Sequence, residues 1–369
     1  MNSPLSSAPR PRRNLPLLLG VSAALITLAA LIQLAHGAYA LDWAGVWRAV
    51  NAPEVWENSG FLGRLIFGDG LGDRLGLPVS APVPTASLII WNIRLPRILV
   101  GIMVGINLAF AGGIFQAITR NEMASPYLLG VSSGAGLVIL AVLVLYPGLS
   151  AQLPLIAMVG GVGAFAIVYA IAWKNGASPV RLILAGIIVG AIAGSLQTAL
   201  FFWAGDISTV QNALAWTAGS LTGTGWAQVR MLAPWTVLTT VASLAGTRYL
   251  DVLTLGDQTA RSLGMRVDWA RFLLAANAIL AASSAVAAAG LVGFVGLIVP
   301  HIVRSLVGSS HRPLLFGCLF AGPALLVSAD TAARLVLSPV QIPVGIVTGI
   351  FGGVFFLYLM RKKQEFGRL

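Results

Sequence analysis

A chain of 369 residues of which 57% are apolar and 9% charged cannot clothe a soluble globular surface, where about a quarter of residues are ordinarily charged. Its mean hydropathy of +0.87 describes a polytopic membrane protein instead. The formal net charge of +11 is then a topology signal, and its bias to one side of the apolar spans excludes a nucleic-acid footprint.

Apolar stretches of membrane-crossing length predict helices over 15–36, 98–118, 127–146, 153–173, 181–203, 227–247, 269–289, 291–307, 314–337 and 344–360. Ten spans place both termini on one face. Putting that face in the cytoplasm assigns to it most of the 23 Lys and Arg, among them Arg10, Arg12, Arg13, Arg120, Lys174, Arg261, Arg266, Arg271, Arg312, Arg361, Lys362 and Lys363, as the positive-inside rule requires. The expected organisation is a cytoplasmic tail over 1–14, one transmembrane domain over 15–360 and a cytoplasmic tail over 361–369. The run Leu15 to Leu34 is long and lacks a small-x-small cleavage site, so it is read as the first span rather than a signal peptide.

The longest segment outside the spans, 37–93, carries Trp43, Trp47, Trp56 and a Gly-Asp-Gly-rich stretch around Asp69 to Asp73. It is expected on the outer surface, with its tryptophans in the interfacial belt. Arg94 and Arg97 follow at the mouth of the second span. Within the spans, Gly101, Gly105, Gly112 and Gly113, and again Gly186, Gly190 and Gly194, recur at spacings that let helices approach closely in lipid.

Ionisable residues are scarce at membrane depth. Asp330 and Arg334 stand four residues apart on one helical face, where a pair is expected. His301 follows Pro300 and reads as a packed or hydrogen-bonded histidine, while His36 and His311 sit at membrane edges without evident partners. Cys318 is the sole cysteine, which leaves no internal disulfide and no thiolate cluster, and it reads as a packing residue.

Catalytic signatures are missing from the chain. Its lysines are Lys174, Lys362 and Lys363, none preceded by glycine, so no phosphate-binding loop of an ATPase is present. His-Glu-x-x-His spacing does not occur and no paired carboxylates stand together in the spans, which argues against an intramembrane enzyme. An ion-coupled carrier would need acids or histidines in mid-membrane, and the charge inventory argues against that too.

Three segments are chemically unusual. Asp251 to Val267 is too polar to span and too apolar to be merely solvated. Leu253, Leu255, Ala260 and Leu263 supply apolar contacts, and Gly256 and Gly264 bracket a short helix whose first turn holds Asp257. This segment is expected to face a protein partner, with a helix lying on lipid as the alternative. In Gly290 to Arg304, glycines at 290, 293 and 296 and Pro300 should break the helix where it is buried or lines a cavity. In Ser338 to Phe356, Pro339 and Pro343 end one span and glycines recur along the next.

Together these segments resemble the FecCD family, the permease subunits of ABC importers for iron-siderophores, haem and cobalamin. The matching pieces are RLPR at Arg94 to Arg97, AGGIFQAITRNEMASPYLLGVSSGA ending at Ala135, LGDQTARSLG from Leu255, GFVGLIVPHIVR from Gly293, HRPLL from His311, Ala329-Asp330 with Arg334, and IPVGIVTGIFGG from Ile342. The resemblance implies an all-α polytopic membrane protein of about ten transmembrane helices with the type II ABC importer permease fold, multi-pass in the bacterial cytoplasmic (inner) membrane.

It also implies partners: a second permease subunit, identical or paralogous, two cytoplasmic ATPase subunits and an extracytoplasmic substrate-binding protein. The chain would be a transport subunit, not an enzyme, with no cofactor of its own and ATP bound by its partners. Its cargo would be an iron(III)-siderophore moved by alternating access, with haem or cobalamin as the alternative cargoes.

Residue roles follow from the same resemblance. Arg94, Arg97 and Arg334 match the positions that dock acidic residues of the binding protein. Leu255, Gly256, Thr259, Ala260, Leu263 and Gly264, in the coupling helices 251–267, match the ATPase contact. Gln197 and Phe201 in the fifth span, with Gly345 and Thr348 in the last, are the expected translocation path. On this reading a charge reversal at Arg94 and Arg97 weakens docking in a salt-sensitive way and leaves the membrane fold intact.

Several positions depart from the family pattern. Asn121-Glu122-Met123-Ala124 stands where Asn-Pro-Leu-Ala is common, and Gln341-Ile342-Pro343 where Glu-Leu-Pro is common. Gly290-Leu291-Val292 replaces Gly-Pro-Ile, and Gly352-Gly353-Val354 replaces Gly-Ala-Pro. Local differences at helix ends are expected there.

Overall fold

Every stretch expected to span forms a helix. In the computed structural model, which describes residues 14–37, 39–77, 82–173, 179–204, 206–337 and 340–366, the spans are Leu15–Ala35, Leu95–Thr119, Val131–Leu145, Leu153–Ala172, Pro179–Trp203, Trp226–Ala245, Val267–Ala289, Val295–Val307, His311–Leu335 and Val344–Phe366. They are the first to tenth spans below. Arg10, Arg12, Arg13 and Lys174, with nearly all of the expected N-terminal tail and residues 367–369 of the C-terminal one, lie outside the described residues. Among the described residues six helices are long and apolar enough to cross a membrane on their own, and the third, eighth and tenth spans supply shorter apolar helices.

The second span is the axis of the bundle. Its helix begins at Thr85 and runs 35 residues to Thr119, with 78% of its most apolar stretch buried. It packs on the sixth, seventh, eighth and ninth spans. A helix apolar on all sides belongs at such a centre. The first and fifth spans lie at the edge, only 11% and 22% buried over the same measure.

Contact at this axis is backbone to backbone. A Cβ at Gly112 would stand 1.6 Å from the Gly296 carbonyl oxygen, and one at Gly322 would stand 2.3 Å from the Gly105 carbonyl oxygen. These glycines draw the eighth and ninth spans onto the second, as small residues do between helices in lipid. Gly194 behaves differently, because a Cβ there meets nothing within 4 Å; the packing reading fails at that position, which lies on a face the chain itself leaves open.

Polar side chains tie the same helices. Asn107 in the second span is fully buried and donates to Thr236 Oγ1 at 2.9 Å and Ser284 Oγ at 3.3 Å, while Thr239 Oγ1 donates to Asn107 Oδ1 at 3.2 Å. The sixth and seventh spans are thereby pinned to the axis through groups lipid could not satisfy.

Two helix starts differ from expectation. The eighth span begins at Val295, not 291, because Gly290 (φ 68°) and Phe294 (φ 66°) adopt left-handed backbone that interrupts the helix. The second span continues outward past Arg94 through a π-turn over Ile90–Arg94. Pro96 has no N–H for the Asn92 carbonyl, and the wide turn beside it absorbs the missing bond.

The outer segment is helical, with Trp43–Val50, Pro53–Trp56, Ser59–Phe67 and Asp69–Arg74. Val46 and Ala49 face inward, while Trp43, Trp47 and Trp56 are 56%, 72% and 55% exposed, suited to an interfacial belt. Like these, the helix Ile207–Ala218 between the fifth and sixth spans is an addition to the expected elements. Asp206 caps it, and hydrogen bonds from the Ser208 hydroxyl and amide hold the Asp206 carboxyl below the usual carboxylate range.

Gly112→Leu is expected to destabilise the protein by about 1–3 kcal/mol through overpacking. Gly163→Ala, where a Cβ meets nothing within 4 Å, is expected to be neutral or slightly stabilising. Thermal unfolding in detergent, followed by fluorescence size-exclusion, measures both.

Candidate docking and coupling sites

Three guanidinium groups gather at the end of the second and ninth spans. Arg97 is 7% exposed and grips Asp330 with both arms of its fork, Nε to Oδ2 at 2.9 Å and Nη2 to Oδ1 at 2.7 Å, while Nη1 donates to Gln341 Oε1 at 2.8 Å. Arg94 is 3% exposed and donates to the carbonyls of Leu34 and Tyr39. Arg334 is half-buried and donates to Gln33 Oε1 at 3.4 Å and the His36 carbonyl at 3.2 Å. The close approach is made at Gly37, where a Cβ would lie 2.9 Å from Arg334 Nη2 and 3.4 Å from Arg94 Nη2.

This arrangement corrects two expectations. Asp330 pairs with Arg97 rather than Arg334, because the second span packs directly on the ninth and presents the closer fork. Charge reversal at Arg94 and Arg97 cannot leave the fold intact, since both side chains are buried and a carboxylate at 97 would face Asp330 without a counter-charge. With one carboxylate among three guanidiniums, the cluster keeps surplus positive charge. Gln33, missed at first, holds it together: Nε2 donates to Asp330 Oδ2 at 3.3 Å and to Thr331 Oγ1 at 3.0 Å. A lone glutamine in an apolar span was the available signal.

The opposite end carries the coupling segment as two short helices, Thr247–Thr254 and Asp257–Ser262. Gly256 (φ 104°) and Gly264 (φ 80°) bracket the second in left-handed backbone, where residues with a Cβ are strained. Leu253 and Ala260 point into the bundle at 1% and 0% exposure. Leu255 and Leu263 point out at 61% and 63%, beside exposed Thr259. Asp257 anchors the helix by ion pairs to Arg120 and to Arg271, the latter at 2.8 Å.

His311 has a partner after all. Asp251 Oδ1 accepts from its backbone N–H at 2.9 Å and lies 2.7 Å from Nδ1, tying the first coupling helix to the start of the ninth span. His301 lies 3.7 Å from Glu122 Oε2 with its ring against Phe355, and Glu122 also stands 3.8 Å from Arg304. The departure at 122 therefore sits opposite two basic groups. Cys318 is buried and unbonded.

Path candidates fall on separate elements. Gln197 Nε2 donates to the Ser133 carbonyl at 2.9 Å, with Phe201 one turn further along the fifth span. Gly345 packs on the 207–218 helix, where a Cβ would meet the Ala218 carbonyl oxygen at 2.1 Å. Thr348 Oγ1 turns back to the Gly345 carbonyl at 3.2 Å. A cavity of about 190 Å³ lies near this junction, lined by residues including Trp216, Ser220, Thr224 and Gln228.

The model of the FecCD transport family matches residues 25–362. The chain belongs to the FecCD family. It is similar to the Fe(3+)-citrate import system permease protein YfmD of Bacillus subtilis, 42% identical over 75% of this chain and 83% of that one. It is also similar to the cobalamin import system permease protein BtuC of Halobacterium salinarum, 40% identical over 78% and 77% of the two chains. The hemin transport system permease protein HmuU of Yersinia pestis is 36% identical over 75% and 84%.

Among solved structures, an inward-facing transporter assigned to the metal-chelate ABC type superposes with a TM-score of 0.75 at 27% identity, covering 94% of this chain and 99% of that one. The expected all-helical importer-permease fold holds, and this FecCD protein is a multi-pass membrane protein. Its arginine cluster and its short helices Thr247–Thr254 and Asp257–Ser262 occupy opposite ends of one bundle.

Asp330→Asn is expected to cost about 3–5 kcal/mol by stranding the buried Arg97 charge, and combining it with Arg97→Gln should recover part of that loss. Asp73→Asn, which removes an ion pair to Arg64 with 68% of the Asp73 side chain exposed, should cost less than about 1 kcal/mol. A double-mutant thermal-unfolding cycle separates the cases.

Proposed function

We propose that this FecCD chain is the permease subunit of an ATP-driven importer that moves an iron(III)-siderophore across the bacterial cytoplasmic membrane by alternating access. Family membership carries the reading, and the two-ended geometry supports it. The arginine end would receive a substrate-binding protein, and the leucine end would receive the ATPases. Chelate cargo is supported by relatives named for ferric citrate, cobalamin and hemin. Iron would travel inside its chelate as substrate and needs no protein ligand. Haem or cobalamin is the second reading, supported by the two relatives named for them.

The docking contact would fall chiefly to Arg334, the most accessible of the three guanidiniums, whose planar fork suits a carboxylate. Arg94 and Arg97 would contribute field and shape from beneath. Gln341 strengthens this reading. It gives Arg97 a neutral oxygen where a glutamate would cancel charge.

At the other end Leu255 and Leu263 would seat in the ATPase surface, while Leu253, Ala260 and the Asp257 ion pairs pass its movement to the seventh span. ATP would be bound by the partner subunits alone. Both termini would then be cytoplasmic. A second permease subunit, identical or paralogous, would cover the open face of the fifth span, where Ile188, Ile192 and Leu196 are 57%, 57% and 50% exposed. The route between the two copies would pass Gln197, Phe201, Gly345 and Thr348.

The deciding experiment is ATP hydrolysis and labelled-iron uptake in liposomes containing this chain with its partner subunits and a loaded binding protein. Stimulation by ferric siderophore is expected. A response to haem or cobalamin alone would replace the cargo, and ATP-independent uptake would overturn the mechanism. Arg334→Glu should weaken docking at low salt, with the deficit shrinking as salt rises. Leu263→Asp should lower copurification of the ATPase, and full retention would remove that residue from the contact.

A further inference from the structure

Beside the coupling helices, a groove of about 580 Å³ opens between the sixth and seventh spans. Ala242, Ala245 and Leu274 form its apolar walls, and Tyr249, Arg266 and Trp269 stand around its mouth. The two aromatic residues are 54% and 63% exposed, the placement of rings at a membrane–water boundary. Nearby acids are already engaged: Asp251 by His311 at 2.7 Å, Asp257 by Arg271 at 2.8 Å and Asp268 by Arg261 at 3.5 Å. Arg266 in the lining, and Arg248, the residue before Tyr249, are exposed and make no ion pair among the described residues.

An apolar slot between two membrane spans, flanked by two aromatic rings and an exposed guanidinium, fits one kind of occupant. We propose that this groove binds an anionic phospholipid, its acyl chain along Ala242, Ala245 and Leu274 and its phosphate on Arg266, with Arg248 adding charge. Arginine suits a phosphodiester because two N–H groups reach two phosphate oxygens, and basic pockets between membrane helices select such headgroups. A second groove, of about 630 Å³ between the fourth and seventh spans, provides contrast. It is lined by Phe165, Tyr169, Trp173 and Phe272, with no cation among the described residues of its lining, and those residues would accept an acyl chain without choosing its headgroup.

Native mass spectrometry of the full chain, purified in detergent and supplied with phosphatidylglycerol or phosphatidylcholine of matched chains, tests the site. The wild type should retain phosphatidylglycerol preferentially. Arg266→Gln should lower that preference about fivefold, the effect of roughly one basic residue beside an anionic lipid. Arg248→Gln with Arg266→Gln should abolish it, Arg266→Lys should keep most of it, and Trp269→Ala should weaken both lipids alike. Equal retention of the two lipids by the wild type, or an undiminished preference in the double variant, overturns the proposal. Because both arginines are exposed, the elution profile of the double variant should match the wild type. The readout needs no transport partner, so it stands apart from the importer reading.

Discussion

The whole bundle depends on how closely other helices approach the second span. Lipid supplies no hydrogen bonds and little hydrophobic drive between helices, so association rests on close packing and on polar groups that satisfy one another. Gly112 against Gly296 and Gly105 against Gly322 supply the first. The Asn107 network with Thr236, Thr239 and Ser284 supplies the second. Both act on the same axis, so the sixth to ninth spans are held as one unit.

Burial of the axis explains the charges at its ends. Because the helix runs on through the π-turn to Thr85, Arg94 and Arg97 lie inside the protein instead of on its rim. A guanidinium there must be paired or hydrogen-bonded, and Asp330, Gln341, Leu34 and Tyr39 meet that demand. Arg334, a half-buried turn away, retains access. One structural fact thus divides three similar arginines into two supporting groups and one suited to an outside partner. At the far end the same economy holds, with Leu253 and Ala260 spent on the bundle and Leu255 and Leu263 left outward.

The sequence made much of this legible because membrane spans announce themselves by length and composition, and the glycine brackets at Gly256 and Gly264 mark the short Asp257–Ser262 helix by backbone chemistry. The 207–218 helix was hidden, being 12 residues long and so too short to span. The start of the eighth span was misjudged because nothing local marks Phe294 for left-handed backbone. His311 looked solitary because its partner Asp251 lies 60 residues away.

By itself the sequence determined the membrane class, the spans, the FecCD resemblance and the identity of the charged residues, since these are set by hydropathy, periodicity and motif spacing along one chain. The tertiary structure alone decided which charges meet. Asp330 has Arg334 four residues away on its own helix, yet its fork-to-carboxylate bond goes to Arg97 on the second span. Pairing in a bundle follows interhelical distance, and that distance was set by glycines elsewhere on the helices.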